Sequence, residues 1–487
     1  MVRLSRSVAG VILALSIVGV PSPGVANIPD PLPLQLWAVR DQTDSGSSAV
    51  ADIATSRDGT RTFVTGEGGR LGGEIVTIAR DTETGAVLWE RRHDAGVGVG
   101  RALEVSPDGT RLYVTSHGYE SSTETAFTVT IAYATARGEE LWAARTEGVW
   151  GYAITLSADG SRIFVAGTSG PWVNEMTVVA YDNSGVWLWQ TFFVDPTYTN
   201  SGAGSVVAAG NDKVIVTGAA GTPSEQIGVG YTVAFDQTDG ALAWATPRPT
   251  TGPLAIAPDA TRVFVTGSTL VKDAVYGWRM RGYVTDAFDV ETGSLLWTAT
   301  YSVNLPVLGP WDQAFDIGVA PDGLRVYVTG FSGTGLATLM TAPVGHATVA
   351  YDATLGQELW SARPPTGAGS SGARELVVSP DGLYVFVTGE AVDVSETNPL
   401  CIPPCSGDSD FLTSAYSALT GAQLWSAHFE RGATSTDVPM GLAITPDGTR
   451  LFVTGYSRPN WFSPRSLATV AYCTIGSLAT TPCPALS

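Results

Sequence analysis

One short unit recurs eight times along this chain, and the repetition limits its fold more than any other feature. Ser106-Pro-Asp-Gly-Thr-Arg-Leu-Tyr-Val-Thr115 and Thr445-Pro-Asp-Gly-Thr-Arg-Leu-Phe-Val-Thr454 are full copies. Others centre on Asp58, Asp159, Asp259, Asp322 and Asp381, and a degraded copy runs Asn211-Asp212-Lys213 before Val214. Proline fixes φ, aspartate tolerates the bridge region and glycine supplies positive φ, so each unit is a tight turn. Alternating apolar residues on both sides make it a hairpin.

A second signature follows each first one. Ala79-Arg-Asp81-Thr-Glu-Thr84-Gly85-Ala-Val-Leu-Trp89 is one copy, and Ala287 to Trp297 is another. The repeating unit is therefore strand A, tight turn, strand B, variable loop, strand C, tight turn, strand D. Helical periodicity is absent after the N-terminal segment. Four-stranded units in series pack radially and leave only short, protected edges. The expected fold is all-β, an eight-bladed β-propeller of four-stranded antiparallel blades. Its strand-D tryptophans are Trp37, Trp89, Trp142, Trp189, Trp244, Trp297, Trp360 and Trp425. Trp37 precedes the first hairpin, whereas the last strand C, Ala468 to Tyr472, is followed by no tryptophan. Leu36-Trp37 is thus expected to complete the last blade and close the ring.

The spacing Ala-x-Asp-x-x-Thr-Gly-x-x-x-Trp resembles the tryptophan-docking motif of quinoprotein dehydrogenases and related pyrroloquinoline-quinone-like repeat propellers. Ala79 to Trp89 and Ala287 to Trp297 match fully, while Ala234 to Trp244 carries Asp239 in place of Thr. Ala350 to Trp360 and Ala415 to Trp425 match in part, and Ala180 to Trp189 is one residue short. The A–B hairpins are similar to the YVTN-type repeat of surface propellers. The resemblance covers residues 36–478 and implies that each tryptophan wedges between neighbouring blades. It implies no single activity, because such repeats serve enzymes, assembly scaffolds and binding proteins alike. Quinoprotein alcohol dehydrogenases bring an adjacent-cysteine disulfide and acidic calcium ligands. Here Cys401 and Cys405 have three residues between them, and no Cys-x-x-Cys-His haem site is present. Pyrroloquinoline quinone is therefore not expected to carry over. The alternatives kept beside a binding or scaffold role are a quinoprotein-like oxidoreductase and a propeller hydrolase or lactonase with a metal in the channel.

The N-terminus reads as a cleaved signal peptide over residues 1–26: Arg3 and Arg6, an apolar run from Val8 to Val20, then Gly24-Val25-Ala26. Residues 27–487 are expected to form one exported eight-bladed propeller domain and to act as a monomer. No later segment has the length and apolarity of a membrane span. The net charge is −19 and the only lysines are Lys213 and Lys272, a balance that repels phosphate backbones and disfavours nucleic acid as a partner. In an exported chain, Cys401, Cys405, Cys473 and Cys483 favour disulfides. Three pairings exist, and proximity favours Cys401–Cys405 and Cys473–Cys483.

Chain direction places the A–B and C–D turns on one face and the B–C and D–A loops on the other. Length varies only in the second set: 268–283, 331–346, 390–411 and 298–312. Variable loops on a rigid scaffold are where binding resides. Trp150, Trp172, Trp278, Trp311 and Trp461 fall in or beside these loops, and only Trp187, of the tryptophans outside the docking set, does not. Such rings either stack on a carbohydrate or planar ligand, anchor a partner protein, or pack the loops onto the blades. Asp52, Arg101, Glu104, Asp312, Asp316, Arg374 and Glu375 lie in or at the start of strands A. They are candidates for binding a cation or polar ligand, or for ion-pairing within a wet channel. Asp393, Glu396, Asp408 and Asp410 make the loop around Cys401 oxygen-rich, and Asp408 and Asp410 are weak calcium candidates. His93, His117, His346 and His428 form no ligand spacing, and no catalytic signature of a known type is present.

Overall fold

The computed structural model describes residues 33–41, 49–68, 73–94, 98–170, 175–197, 200–222, 225–248, 251–273, 277–302, 310–334, 344–363, 372–392, 409–430, 435–460 and 463–474. They contain 32 strands and no helix. The first blade shows the plan: β2 (Ala49–Thr55), β3 (Arg61–Gly68), β4 (Glu74–Asp81) and β5 (Val87–Asp94) form one antiparallel meander. Six more blades repeat it, so seven innermost strands follow β2. These are β6 (Gly98–Val105), β10 (Val149–Leu156), β14 (Asn200–Ala209), β18 (Leu254–Ile256), β22 (Pro310–Val319), β26 (Ala373–Val378) and β30 (Thr436–Ile444). Each inner strand touches the next, and β30 returns to β2. The sheets therefore form a closed ring of eight blades.

The last blade is completed by the chain's first described strand. β1 (Gln35–Asp41) pairs antiparallel with β32 (Ser466–Cys473), from Gln35 opposite Tyr472 to Asp41 opposite Leu467. Blades seven and eight also share one parallel bridge, Ser409 to Thr436.

The repeat's two turns explain themselves physically. In the A–B turn of blade two, the Ser106 hydroxyl donates to Asp108 Oδ1 at 2.5 Å, and the Thr110 amide donates to the same oxygen at 3.0 Å. Gly109 sits at φ 71°, in the left-handed region that only glycine enters freely. In the fifth blade the glycine is replaced by Ala260, which still adopts φ 56°. At the C–D turn, a Cβ on Gly356 would lie 2.6 Å from Trp297 Cε3. The missing side chain is what lets the indole of one blade lie flat on the turn of the next. Trp297 Nε1 then donates to Ala353 O at 3.1 Å. The same clasp joins Trp37 to Thr82, Trp89 to Thr135, Trp142 to Asn183, Trp189 to Gln237, Trp244 to Val290 and Trp360 to Ala418. Trp425 is 2% exposed, and its Nε1 has no hydrogen-bond partner among the described residues.

Seven of the eight inner strands carry a register shift at one shared height. The skipped residues are Ala51, Arg101, Tyr152, Gly204, Phe315, Arg374 and Met440. A bulge of this kind leaves its extra residue outside the ladder and re-aims its side chain. One expected loop is largely strand: 268–283 is occupied by the ends of β19 (Arg262–Asp273) and β20 (Gly277–Asp289), paired as far as Asp273 opposite Gly277. Hydrogen-bonded pairing simply continues past the body of the blade. The leader segment 1–26, Trp172, Trp461, Cys401, Cys405, Cys483, Asp393, Glu396 and Asp408 lie outside the described residues. Among the described residues no helix is long and apolar enough to cross a membrane.

Candidate binding site on the loop-bearing face

Four candidate carboxyls gather on the inner strands. Asp52 accepts from the Ile53 amide at 2.7 Å and, across the blade boundary, from the Leu103 amide at 2.9 Å. Asp316 repeats this three blades away around the ring, accepting from Ile317 at 2.8 Å and Leu376 at 2.7 Å. Both residues are half-buried, and protein surrounds their carboxyl groups. That desolvation outweighs the two amide bonds and raises each to about 6. Glu104 is pushed up to about 8, first by burial and further by Asp52, against the pull of Arg57, the Thr155 hydroxyl and the Leu156 amide. Glu375 rises well above the usual range through burial and its carboxylate neighbours, with Asp316 nearest in effect and Asp52 next. These groups tie neighbouring blades together, and burial makes each of them hold its proton more firmly than a free carboxyl does.

Asp312 does not join them. It is fully buried, and the Ser332 hydroxyl donates to its Oδ1 at 2.5 Å while Arg363 binds the same serine. Tyr283 and Tyr301 of the preceding blade feel its charge, which places it between blades rather than in the channel. The bulge between Ala314 and Asp316 is the cause: strict alternation would put residues 312 and 316 on one face, and one extra residue separates them.

The two candidate arginines occupy equivalent bulges with different partners. Arg374 Nε donates to Glu390 Oε1 at 2.7 Å, and its Nη2 contacts the same oxygen. Arg101 Nε donates instead to His117 Nδ1 at 2.7 Å, with Nη2 3.0 Å from Nε2. Burial and the adjacent guanidinium press the His117 imidazole down to about 4, so it is neutral at physiological pH. Arg101 and His117 open into a cavity of about 300 Å³ whose walls include Trp150 and Tyr152. Trp150 is fixed by its Nε1 bond to Gly118 O at 3.0 Å, and Tyr152 meets the His117 ring edge-on at 5.5 Å. Val99, Gly118 and Tyr119 complete the lining. All of these lie near the starts of β6 and β10 or the end of β7 (Arg111–Glu120), hence at the loop-bearing end. The sequence pointed to Trp150 and Arg101 separately; His117 and Tyr152 were missed. Only the register shifts bring them together.

Trp278 and Trp311 stand in β20 and β22 by backbone position. Asp410 is within β28 (Ser409–Ser417), opposite Ala391, rather than in a free loop. Among the described residues no group of three or more metal-ligating side chains is poised to hold an ion. On the turn-bearing face a cavity of about 520 Å³ spans the junction of the last and first blades, between Arg57 and Arg450. Its carboxylates are already engaged. Asp58 and Asp447 cap their own turns, and Glu83 pairs with Arg450 at 3.2 Å.

The family model described as outer membrane protein assembly factor BamB matches residues 71–247, 126–301 and 280–456. The chain belongs to this family of pyrroloquinoline-quinone-like repeat propellers. Its fold is shared by the Dos1 propeller at 12% identity and TM-score 0.56, covering 91% of this chain and 95% of that one. The C-terminal WD40 domain of Sif2 is likewise similar, at 12% identity and TM-score 0.55 over 90% and 98% of the two chains. Quinohemoprotein alcohol dehydrogenase from Comamonas testosteroni gives 15% identity and TM-score 0.51 over 90% and 76%. No curated protein sequence matches it.

Proposed function

We propose that this chain is an exported binding or scaffold propeller that engages its ligand or partner through the loop-bearing face. One observation carries the reading: the aromatic cavity between blades two and three holds a guanidinium whose nearest partner is a neutral imidazole. The opposite face, by contrast, has its carboxylates committed to turns. A family description that names an assembly factor is consistent with a partner-binding role.

The channel groups speak for binding rather than for quinone or metal chemistry. A calcium-held quinone, or a metal-activated water, needs carboxylate oxygens free to ligate. Asp52 and Asp316 each give both oxygens to backbone amides. The placement of these two carboxylates therefore supports a binding reading over one in which they serve chiefly as metal ligands. The test is thermal-shift screening of the exported chain with small carboxylates, oligosaccharides, calcium and pyrroloquinoline quinone, in wild type and Trp150→Ala. Shifts lost in Trp150→Ala support the reading. A quinone-dependent shift that Trp150→Ala leaves intact, accompanied by dye reduction, would overturn it.

A further inference from the structure

We propose that the cavity between blades two and three is a site for a planar monocarboxylate of the benzoate class. The carboxylate sits on Arg101 and the ring lies against Trp150. This rests on the binding role argued above and names the ligand chemistry of that same face.

The protein contains its own control. Arg101 and Arg374 are both the extra residue of an inner-strand bulge, after Gly100 and Ala373 respectively. Each reaches a side chain sixteen positions further along the chain, on the neighbouring strand of its blade. In blade seven that side chain is Glu390, and a carboxylate answers the guanidinium. In blade two it is His117, which accepts a hydrogen bond and brings no charge. Glu67 feels Arg101 only at longer range, and no carboxylate among the described residues stands within ion-pairing distance of it. A guanidinium has five N–H donors in a planar fork. The contacts with His117 occupy one edge and leave Nη1 and the remaining Nη2 hydrogen available. Blade two is thus the Arg–carboxylate arrangement of blade seven with the carboxylate left out.

The cavity sets what can carry that carboxylate. Its volume of about 300 Å³ is at the lower end for small-molecule sites. Trp150 is held by its indole N–H and Tyr152 by its edge contact with His117, so both rings are fixed before a ligand arrives. The walls are mainly apolar and offer one cationic fork, which favours a flat hydrocarbon ring over a hydroxyl-studded sugar. In a chain of net charge −19 an anion has few other attractive places to settle.

Isothermal titration of the full exported chain with benzoate, benzyl alcohol and glucuronate tests this. Benzoate should bind at least tenfold more tightly than either of the others. Arg101→Gln should remove binding, and Trp150→Leu should weaken it about tenfold. Arg374→Gln should leave it unchanged. The decisive variant is His117→Glu, which reproduces the blade-seven pair: it keeps Arg101 but supplies an internal carboxylate, so benzoate binding should disappear while melting holds or rises. Benzoate binding that persists in His117→Glu and Arg101→Gln overturns the site. Glucuronate binding that depends on Arg101, without benzoate binding, overturns the planar ligand class and leaves the binding role of the face standing. Failure of every compound to bind, together with loss of partner capture on a Trp150 substitution, likewise overturns this ligand class but not the wider reading.

Discussion

The two ends of the propeller handle the same residue, aspartate, in opposite ways. At the turn-bearing end, Asp58 and Asp108 accept from a hydroxyl and an amide and remain exposed, so their carboxyls sit below the usual range. In the channel, Asp52 and Asp316 each accept two amide bonds and yet are raised to about 6. Hydrogen-bond number is therefore not the deciding variable. Access to water is: two amide donors stabilise the anion, but an encircling ring of protein removes more hydration than they replace. The turn end is built from near-copies whose polar groups are used locally. The channel and its loop-side mouth differ blade by blade, and there charge is left over.

The largest effect that tests this contrast is at the turn end. Trp297→Ala should destabilise by about 3–5 kcal/mol, from lost transfer and cavity terms together, while leaving benzoate titration unaltered. An unchanged urea midpoint would show that the clasp does not hold the blades together.

A glycine pair separates the clasp from its backbone requirement. Gly356→Ala meets both a positive φ of 69° and the Trp297 indole, whereas Gly148→Ala meets φ 74° and open space. Both should lose about 1–2 kcal/mol for the left-handed backbone. Only Gly356→Ala should lose more, and equal losses in denaturant titrations would deny the indole any part.

The channel acids give a pH signature of defined sign. A raised folded pKa means that the folded state holds the proton longer. The stability tied to Glu104 is full below its unfolded value near 4.5 and is lost as pH rises through about 8. The turn acids act in reverse, their contribution disappearing as pH falls through the low carboxylate range. Glu104→Gln should thus lose less stability than wild type between pH 5 and pH 8; parallel melting profiles across that window would refute the assignment.

The smallest effect is a gain. Ala260 holds φ 56° where the sister turns have glycine. Ala260→Gly should stabilise by a few tenths of a kcal/mol to about 1, relief of left-handed strain exceeding the added chain entropy. A loss in calorimetry would mean that the fifth turn has adapted to alanine.

What could be read from sequence follows the range of the interactions. Asp108-Gly109 and Gly356 against Trp297 come from local turn chemistry and a fixed period, so the repeats disclosed blades, turn types and the closing strand. Asp312 lies in its inner strand as expected, but alternation alone cannot reveal a bulge, and one extra residue turned its side chain between blades. His117 was overlooked because it meets Arg101 across a register shift that no single copy reveals. Arg374 and Glu390 have the same spacing, so comparing copies at that interval would have exposed the missing carboxylate.

The β1–β32 pairing has a mechanical consequence. Gln35, where the chain enters β1, lies opposite Tyr472, where it leaves β32. Tension on both ends would load the hydrogen bonds of this pair one after another, as in unzipping, rather than all together in shear. Every other step around the ring is covalent. The propeller should therefore yield at low force and at one place, opening as a strip of otherwise intact blades.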